Sequence, residues 1–264
     1  MAIYVGCAGW ALRREFFSAF PDQGTHLERY SARFNCVEIN SSFYRSHQLK
    51  TYQRWAESTP PIFRFAVKLP KEITHVQRLI NPLTLVEKFA SEIEGLEEKL
   101  GPTLVQLPAS LGFDPFVAEE FFRILSKRIR TALVCEPRNP SWFGQEADDL
   151  MREFSVARVA ADPQVVPGAA APTGATQTSY IRLHGSPRMY YTSYADQQLD
   201  DLVARILALE EITNAVWCIF DNTAEGAATA NALSTMARLI SVHGVVRPSL
   251  RFNTASNSEV NGLV

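Results

Sequence analysis

Charged, amide and imidazole side chains recur in this sequence at the ends of short β-branched runs. Val37-Glu38-Ile39-Asn40 closes one run, Phe65-Ala66-Val67-Lys68 the next, and Gln106 follows Leu104 in a third. Glu136 and Arg138 stand two residues apart, as do Arg182 and His184. Residues two apart in a strand share a face. If Val37 and Ile39 face a helical layer, Glu38 and Asn40 face the other way. Lys68, Gln106, Glu136, Arg138, Arg182 and His184 follow the same phase. Asp162 ends a further run, and Asp221-Asn222 ends the last, where alternation cannot say which of the two points inward.

Gathered at one place, these groups could do acid/base chemistry on a small polar anion. Lys68, Arg138 and Arg182 suit phosphate or carboxylate, the arginines in bidentate fashion. Glu38 and Glu136 could serve as acid and base, and His184 could relay a proton near neutral pH. A Glu136 carboxylate beside Arg138 should stay ionised, which suits a base or an acceptor. Trp10, Phe43, Tyr44, Trp142, Tyr190, Tyr191 and Tyr194 lie next to these positions and could wall a pocket, with Trp10, Tyr44 and Trp142 expected on the ligand. Asn40, Gln106 and Asn222 would add hydrogen bonds, and Gly6, ending the first run, leaves room.

Two other functions use the same residues. Glu38, Glu136, Asp162, His184 and Asp221, with His75 nearby, could hold divalent metal for phosphodiesterase or nuclease chemistry. Three rim cations compete with a metal, so this ranks second, and no cofactor is required. Alternatively, Arg13, Arg14, Arg45 and Lys71, with Trp10 and Tyr44 for stacking, could make a non-catalytic module for a nucleotide or nucleic acid. A nucleophilic Cys7 lacks an identifiable base. The three acids and three bases of the rim could also form a purely structural ion-pair network.

The elements that must position these groups alternate. Strand-like runs are Ile3–Gly6, Cys36–Asn40, Arg64–Lys68, Thr103–Leu107, Ala132–Glu136, Ala157–Asp162, Tyr180–His184 and Ala215–Asn222. They start about 30 residues apart, one βαβ repeat. Helical periodicity covers His26–Phe34, Leu49–Glu57, Ile80–Leu100, Asp114–Ile129, Ala147–Phe154, Asp196–Glu211 and Ala224–Val242. Eight such units predict an α/β chain closed as a single (β/α)8 barrel of TIM type. A doubly wound open sheet is the alternative, but Gly6-Cys7-Ala8-Gly9 lacks the third glycine of a dinucleotide fingerprint. Pro163–Thr178 is too rich in Pro, Gly and Ala for a helix, so the sixth unit should be an irregular loop over one end, a candidate lid. The barrel should span residues 1–250, with 251–264 a frayed tail.

Composition agrees with a globular protein. Of 264 residues, 46% are hydrophobic and 20% charged, and the net charge of −2 excludes a strongly basic nucleic-acid coat. No apolar run approaches membrane length. MAIYVGCAGW lacks the features of a signal peptide, and Cys7, Cys36, Cys135 and Cys218 form no CxxC pair. Reduced, packed cysteines and a cytoplasmic location are expected.

The segments Gly6-Cys7-Ala8-Gly9-Trp10, Val37-Glu38-Ile39-Asn40-Ser41-Ser42-Phe43-Tyr44-Arg45, Phe65-Ala66-Val67-Lys68-Leu69-Pro70, Ile73-Thr74-His75 and Leu100-Gly101-Pro102 occur in that order. Gln106-Leu107-Pro108, Glu136-Pro137-Arg138, Pro140-Ser141-Trp142-Phe143, Tyr180-Ile181-Arg182-Leu183-His184-Gly185 and Asn222-Thr223 follow. Together they resemble the YecE-like family, domain of unknown function 72, from Ile3 to about Leu239. The resemblance implies a one-domain TIM-type barrel and assigns no reaction. Asn139 stands where members often carry His, Asp221 where they often carry Asn, and Ala11 and Leu12 where polar or aromatic residues are usual.

Overall fold

The computed structural model describes residues 2–167, 169, 173 and 177–243. In chain order its elements are β1 (Ala2–Cys7), α1 (His26–Ser31), β2 (Cys36–Ile39), α2 (Leu49–Glu57), β3 (Arg64–Lys68), α3 (Leu83–Ile93), β4 (Leu100–Gln106) and α4 (Pro115–Arg128). There follow β5 (Leu133–Glu136), α5 (Gln145–Glu153), β6 (Val156–Arg158), β7 (Ala160–Asp162), β8 (Thr178–Leu183), α6 (Asp196–Glu210), β9 (Ala215–Phe220) and α7 (Ala227–His243). All strand pairs are parallel, in the runs β2-β3-β4-β5-β6 and β1-β9-β8-β7.

Two seams join these runs into a barrel. At one, β6 and β7 are halves of a single interrupted strand. Val159 between them donates its N–H to the Cys135 carbonyl at 2.8 Å, so the first half pairs with β5 and the second with β8. At the other, β1 and β2 share one parallel bridge, Ala8 with Glu38. Side chains complete this seam. Asn35 accepts from the Val5 N–H at 3.0 Å and donates to the Ile3 carbonyl at 2.7 Å. The Tyr30 hydroxyl accepts from the Cys7 N–H at 2.8 Å and donates to the Cys36 carbonyl at 3.1 Å. A Cβ on Gly6 would stand 2.2 Å from the Cys36 carbonyl oxygen. The space expected at Gly6 is thus filled by backbone from the neighbouring strand.

Alternation divides the core into two layers. Outward positions such as Val37, Ile39, Phe65, Val67, Val105, Ile181 and Phe220 meet apolar helix faces carrying Phe89, Phe121, Phe122, Leu125 and Ile206. Inward positions below the rim are apolar: Cys36, Ala66, Leu104, Val134, Ala157 and Ile219. Trp217 plugs the interior, stacked on Tyr4 at 4.4 Å and parallel to Tyr180 at 6.2 Å. Gly101 makes way for it, since a Cβ there would lie 2.5 Å from the indole. The four cysteines are buried and free, and burial pushes the Cys7 thiol up to about 12, so it stays protonated at neutral pH.

The long helix expected over 80–100 is shorter. α3 ends at Ile93, and a 3-10 turn with Glu97 at φ 49° carries the chain to β4. The cause is tertiary: at Gly95 the chain runs so close to α2 that a Cβ would sit 2.4 Å from the Leu49 carbonyl oxygen. After β7 no helix forms among the described residues, as the Pro/Gly content predicts. Thr173 of that segment accepts the Arg158 N–H at 2.8 Å and donates from its hydroxyl to Asp148 at 3.2 Å, lying along β6 and α5. The remaining residues of the expected lid, and the expected tail, lie outside the described residues.

The β1–β2 seam yields a stability prediction. Gly6→Ala should lower unfolding stability by about 3 kcal/mol through overpacking against backbone. Asn35→Ala, which orphans a buried N–H and a carbonyl, should cost about 2 kcal/mol. Urea unfolding measures both; losses below about 0.5 kcal/mol, the usual surface scatter, would show that the seam does not hold the barrel closed.

Candidate active site at the strand ends

The inward polar residues meet in one cluster. Arg182, at the end of β8, is fully buried. Its Nε and Nη2 donate to the two oxygens of Glu38 at 2.9 and 2.6 Å, and its Nη1 donates to Glu136 at 2.9 Å. Nη2 also lies 3.0 Å from Asp221, which identifies Asp221 as an inward group at the end of β9. The Tyr180 hydroxyl, two residues below Arg182 on the same face, donates to Glu38 at 2.8 Å. Four strands are tied through one guanidinium. Burial disfavours its charge, but the three carboxylates outweigh this and raise its pKa further.

Glu136 receives the rest. Its Oε1 accepts from Gln106 at 2.9 Å, from the Arg138 Nε at 3.0 Å, and stands 3.0 Å from His184 Nε2. Burial would raise this carboxyl, but His184 and Arg182 outweigh burial and hold it well below the usual carboxylate range. Glu136 is therefore ionised, and its oxygens are occupied.

His184 sits between two carboxylates and two guanidinium groups. Its Nδ1 is 3.0 Å from Asp221. Its Nε2 faces Glu136 at 3.0 Å, the Arg138 Nη2 at 3.1 Å and the Arg182 Nη1 at 3.4 Å. As imidazolium it donates to Asp221 and Glu136. As neutral imidazole it keeps the Nδ1 proton on Asp221 and accepts from an arginine at Nε2. Both protonation states find partners without movement, which suits a general acid/base. Burial lowers its pKa, but Glu136 and Asp221 outweigh burial and raise it above the usual value.

Lys68 differs from every other cation of the rim. Its side chain is 4% exposed, yet among the described residues its ammonium makes no hydrogen bond or ion pair. It lies 4.0 Å over the Phe43 ring. Ser42 holds that ring in place by donating to the Ile39 and Lys68 carbonyls at 2.8 and 2.6 Å, which pins the turn after β2 onto the end of β3. Burial, then Arg182, lower the Lys68 pKa to about 8 against the pull of Glu38, Glu136 and Asp221. His75 stands edge-on behind Phe43 at 4.9 Å, with Nδ1 bonded to the Thr74 hydroxyl at 2.8 Å.

Other expected residues take different places. The Asn40 and Asn222 side-chain oxygens are buried without a partner, while the Asn222 amide donates to Thr192 and Asn231 at 3.0 and 2.9 Å. Trp142 is not at the mouth. It is buried against Phe113 and Phe122, and its indole N–H donates to the Leu111 carbonyl at 3.0 Å, because the 3-10 turn at Pro140–Phe143 directs it back onto α4. Trp10 packs edge-on against Trp55 at 5.0 Å, and Tyr44 is exposed. Asn139 caps the Pro140–Phe143 turn, accepting from the Ser141 N–H at 3.0 Å. Asp162 accepts from the Tyr194 hydroxyl at 2.6 Å, which anchors the loop after β8. That loop folds back through Gly185 at φ +87°, where a Cβ would meet the Thr192 carbonyl oxygen at 2.7 Å. It lays Tyr190 edge-on to His184 at 5.7 Å and Met189 sulfur 3.6 Å from Arg138. The site roles of Tyr180 and Met189 escaped the sequence reading; the signal for Tyr180 was its shared phase with Arg182. Among the described residues no group of three or more His, Cys, Asp or Glu is arranged to hold a metal ion.

Residues 4–253 match the family model described as a protein of unknown function, DUF72. The chain belongs to the DUF72 family. It is 34% identical to the UPF0759 protein YecE of Escherichia coli K12 over 110 residues, 42% of this chain, and this match spans only 39% of YecE's length. The UPF0759 protein YunF of Bacillus subtilis is 25% identical over 261 aligned residues, covering 87% of this chain and 92% of YunF. A DUF72 crystal structure from Thermotoga maritima superposes with a TM-score of 0.77 at 26% identity, covering 90% of this chain and 99% of that one. A xylose isomerase-like TIM barrel fusion protein shares the fold alone, with a TM-score of 0.51 at 15% identity, covering 96% of this chain and 46% of that one. The DUF72 chain described here is thus a TIM-type α/β barrel. No helix among its described residues is long and apolar enough to cross a membrane.

Two outcomes test this electrostatic arrangement. Arg182→Met leaves three buried carboxylates without their shared partner and should cost about 3–5 kcal/mol in urea unfolding; a neutral result would show that the cluster tolerates its loss. The raised pKa of His184 makes its contribution full below its unfolded value of about 6.5 and lost as pH rises through the folded value. The stability difference between wild type and His184→Asn should therefore shrink as pH rises above 6.5, and a pH-independent difference contradicts the assignment.

Proposed function

We propose that the strand-end cluster is the active site of an enzyme carrying out hydrolase- or lyase-type acid/base chemistry on a small polar anion, phosphorylated or sugar-like. The observation that carries this reading is Lys68. The Lys68 side chain is almost wholly packed, while its ammonium reaches solvent without a hydrogen bond among the described residues, and a ligand anion would meet it there. Beside it, Arg138 is partly exposed with its side chain at 22%, so it can turn donors toward a ligand. The unpartnered oxygens of Asn40 and Asn222 offer acceptors for hydroxyl groups. His184 supplies the acid/base, and Glu136 and Asp221 stabilise its imidazolium. Glu38, Glu136 and Arg182 bond chiefly to one another, so their part is to hold His184 and the ligand cations in place.

A metal-assisted mechanism has less support, because the oxygens of Glu38, Glu136 and Asp221 face Arg182 at 3.0 Å or less. A nucleic-acid module has less support as well. Arg13 is held by the Ala224 carbonyl at 2.6 Å, and Trp10 packs on Trp55.

Thermal melts test the proposal. Glucose 6-phosphate at a hundredfold excess over its dissociation constant should stabilise the protein by about 2.7 kcal/mol, raising Tm by roughly 2–4 °C per kcal/mol for a chain of this size. Arg138→Ala should reduce that shift, and glucose should give less than its phosphate. No shift with glucose 6-phosphate, inorganic phosphate or a carboxylate sugar acid overturns the reading.

A further inference from the structure

We propose that Lys68 is a nucleophile that forms an imine with an aldehyde or ketone on the anionic substrate. The inference rests on the active-site reading above and narrows its substrate to a carbonyl compound carrying phosphate or carboxylate.

Three features of the site converge on Lys68. First, it is buried at the end of β3 but has no hydrogen bond or ion pair among the described residues, whereas Arg182 and Arg138 are bound to carboxylates. A structural lysine would be placed like Lys99, which donates to the Ala56 and Thr59 carbonyls at 2.5 and 2.6 Å. Second, its nitrogen is largely desolvated, 4.0 Å over the Phe43 ring that Ser42 locks in place. Desolvation of this kind activates an amine. Third, burial and then Arg182 on β8 disfavour the ammonium and prevail over Glu38 on β2, Glu136 on β5 and Asp221 after β9, which favour it; Arg138 after β5 completes the charged rim, and His75 lies behind Phe43. At a pKa of about 8, about a tenth of Lys68 is free amine at pH 7, far more than for an ordinary lysine.

The chemistry balances with groups present. The Lys68 nitrogen adds to the carbonyl carbon, forming the C–N bond while the C=O π pair moves to oxygen. That oxygen takes a proton, and the nitrogen loses one to water, giving a carbinolamine. Protonation of its hydroxyl releases water and leaves an iminium, so amine, carbonyl and one proton give iminium and water. His184, which finds partners in both protonation states, is the acid of the cluster. The iminium then accepts the electron pair of a bond α to it, the electron sink that lyase-type chemistry needs.

Reductive trapping tests the inference. The intact protein is incubated with glyoxylate and cyanoborohydride, which delivers hydride to the iminium carbon and fixes carboxymethyl-lysine for peptide mapping. Lys68 is one of six lysines, the others being Lys50, Lys71, Lys88, Lys99 and Lys127. It should label at least about tenfold faster than any of these at pH 7.5, because a lysine pKa lowered from about 10.4 leaves far more free amine. Its labelling rate should rise through a midpoint near pH 8. Inorganic phosphate should slow it, and Lys68→Met should abolish the fast adduct without changing the other five. Labelling of exposed lysines ahead of Lys68 overturns the imine, and the wild-type map gives that result whether or not Lys68→Met folds. If phosphate still stabilises the protein, the anion site survives and only the imine fails; if glucose 6-phosphate, phosphate and the sugar acid also leave the melt unchanged, both readings fall.

Discussion

The Arg182 guanidinium is the interaction on which the upper half of the barrel depends. Removing a guanidinium and three carboxylates from water is expensive, and in a low-dielectric interior only good geometry offsets that cost. Here all three guanidinium nitrogens reach carboxylate oxygens within 3.0 Å, and the carboxylates come from β2, β5 and the residue after β9. An apolar plug could join the same strands as firmly. What the ion cluster adds is orientation, because each carboxylate bonded to Arg182 also fixes something else. Glu136 takes Gln106, Arg138 and His184, and Asp221 takes His184.

The charges bound to one another form a scaffold, and in the proposed function those left over are the reactive part. Arg182 is completely saturated and has no donor for a ligand. His184 is held from both sides yet can gain or lose its Nε2 proton in place. Lys68 lies over Phe43 and makes no hydrogen bond or ion pair among the described residues. Under the proposed function, the two readings of the rim, a structural network or a functional site, become parts of one design. The network is structural where Glu38, Glu136 and Arg182 meet, and its incompleteness at Lys68 motivates the proposed ligand.

Closure of the barrel imposes a second constraint. The β1–β2 seam has little backbone pairing, and Asn35 and Tyr30 supply the missing partners for Ile3, Val5, Cys7 and Cys36. A buried seam of this kind has to satisfy every backbone group, which is why a glycine, an asparagine and a tyrosine occur together there. The β6–β7 break serves the opposite seam by letting one strand follow two neighbours. Beneath the rim, Trp217 and its aromatic partners separate the polar cluster from the base of the barrel.

The sequence by itself determined the order of strands and helices and the inward face of every strand run but the last. Both are local: a period of two places Glu38, Lys68, Glu136, Arg182 and His184 on one side wherever the strands finally lie, and Pro and Gly after β7 predict a loop, with no helix before β8 among the described residues. Local patterning also gave the helix limits almost to the residue over Leu49–Glu57. It failed where another element intervened, as at Gly95, where close approach to α2 ends α3 early. Only the tertiary structure decided which charges pair, because Glu38 and Arg182 are 144 residues apart and meet through barrel closure and strand stagger. It also decided that Asp221 turns inward, that Trp142 serves the core, and that Gly6 admits a strand instead of a ligand. Above all, it left one lysine of three rim cations without a hydrogen bond or ion pair among the described residues. The sequence sets Glu38, Glu136 and Asp162 against Lys68, Arg138 and Arg182, and only geometry shows that Glu38, Glu136 and Asp221 converge on Arg182 while Asp162 accepts from Tyr194.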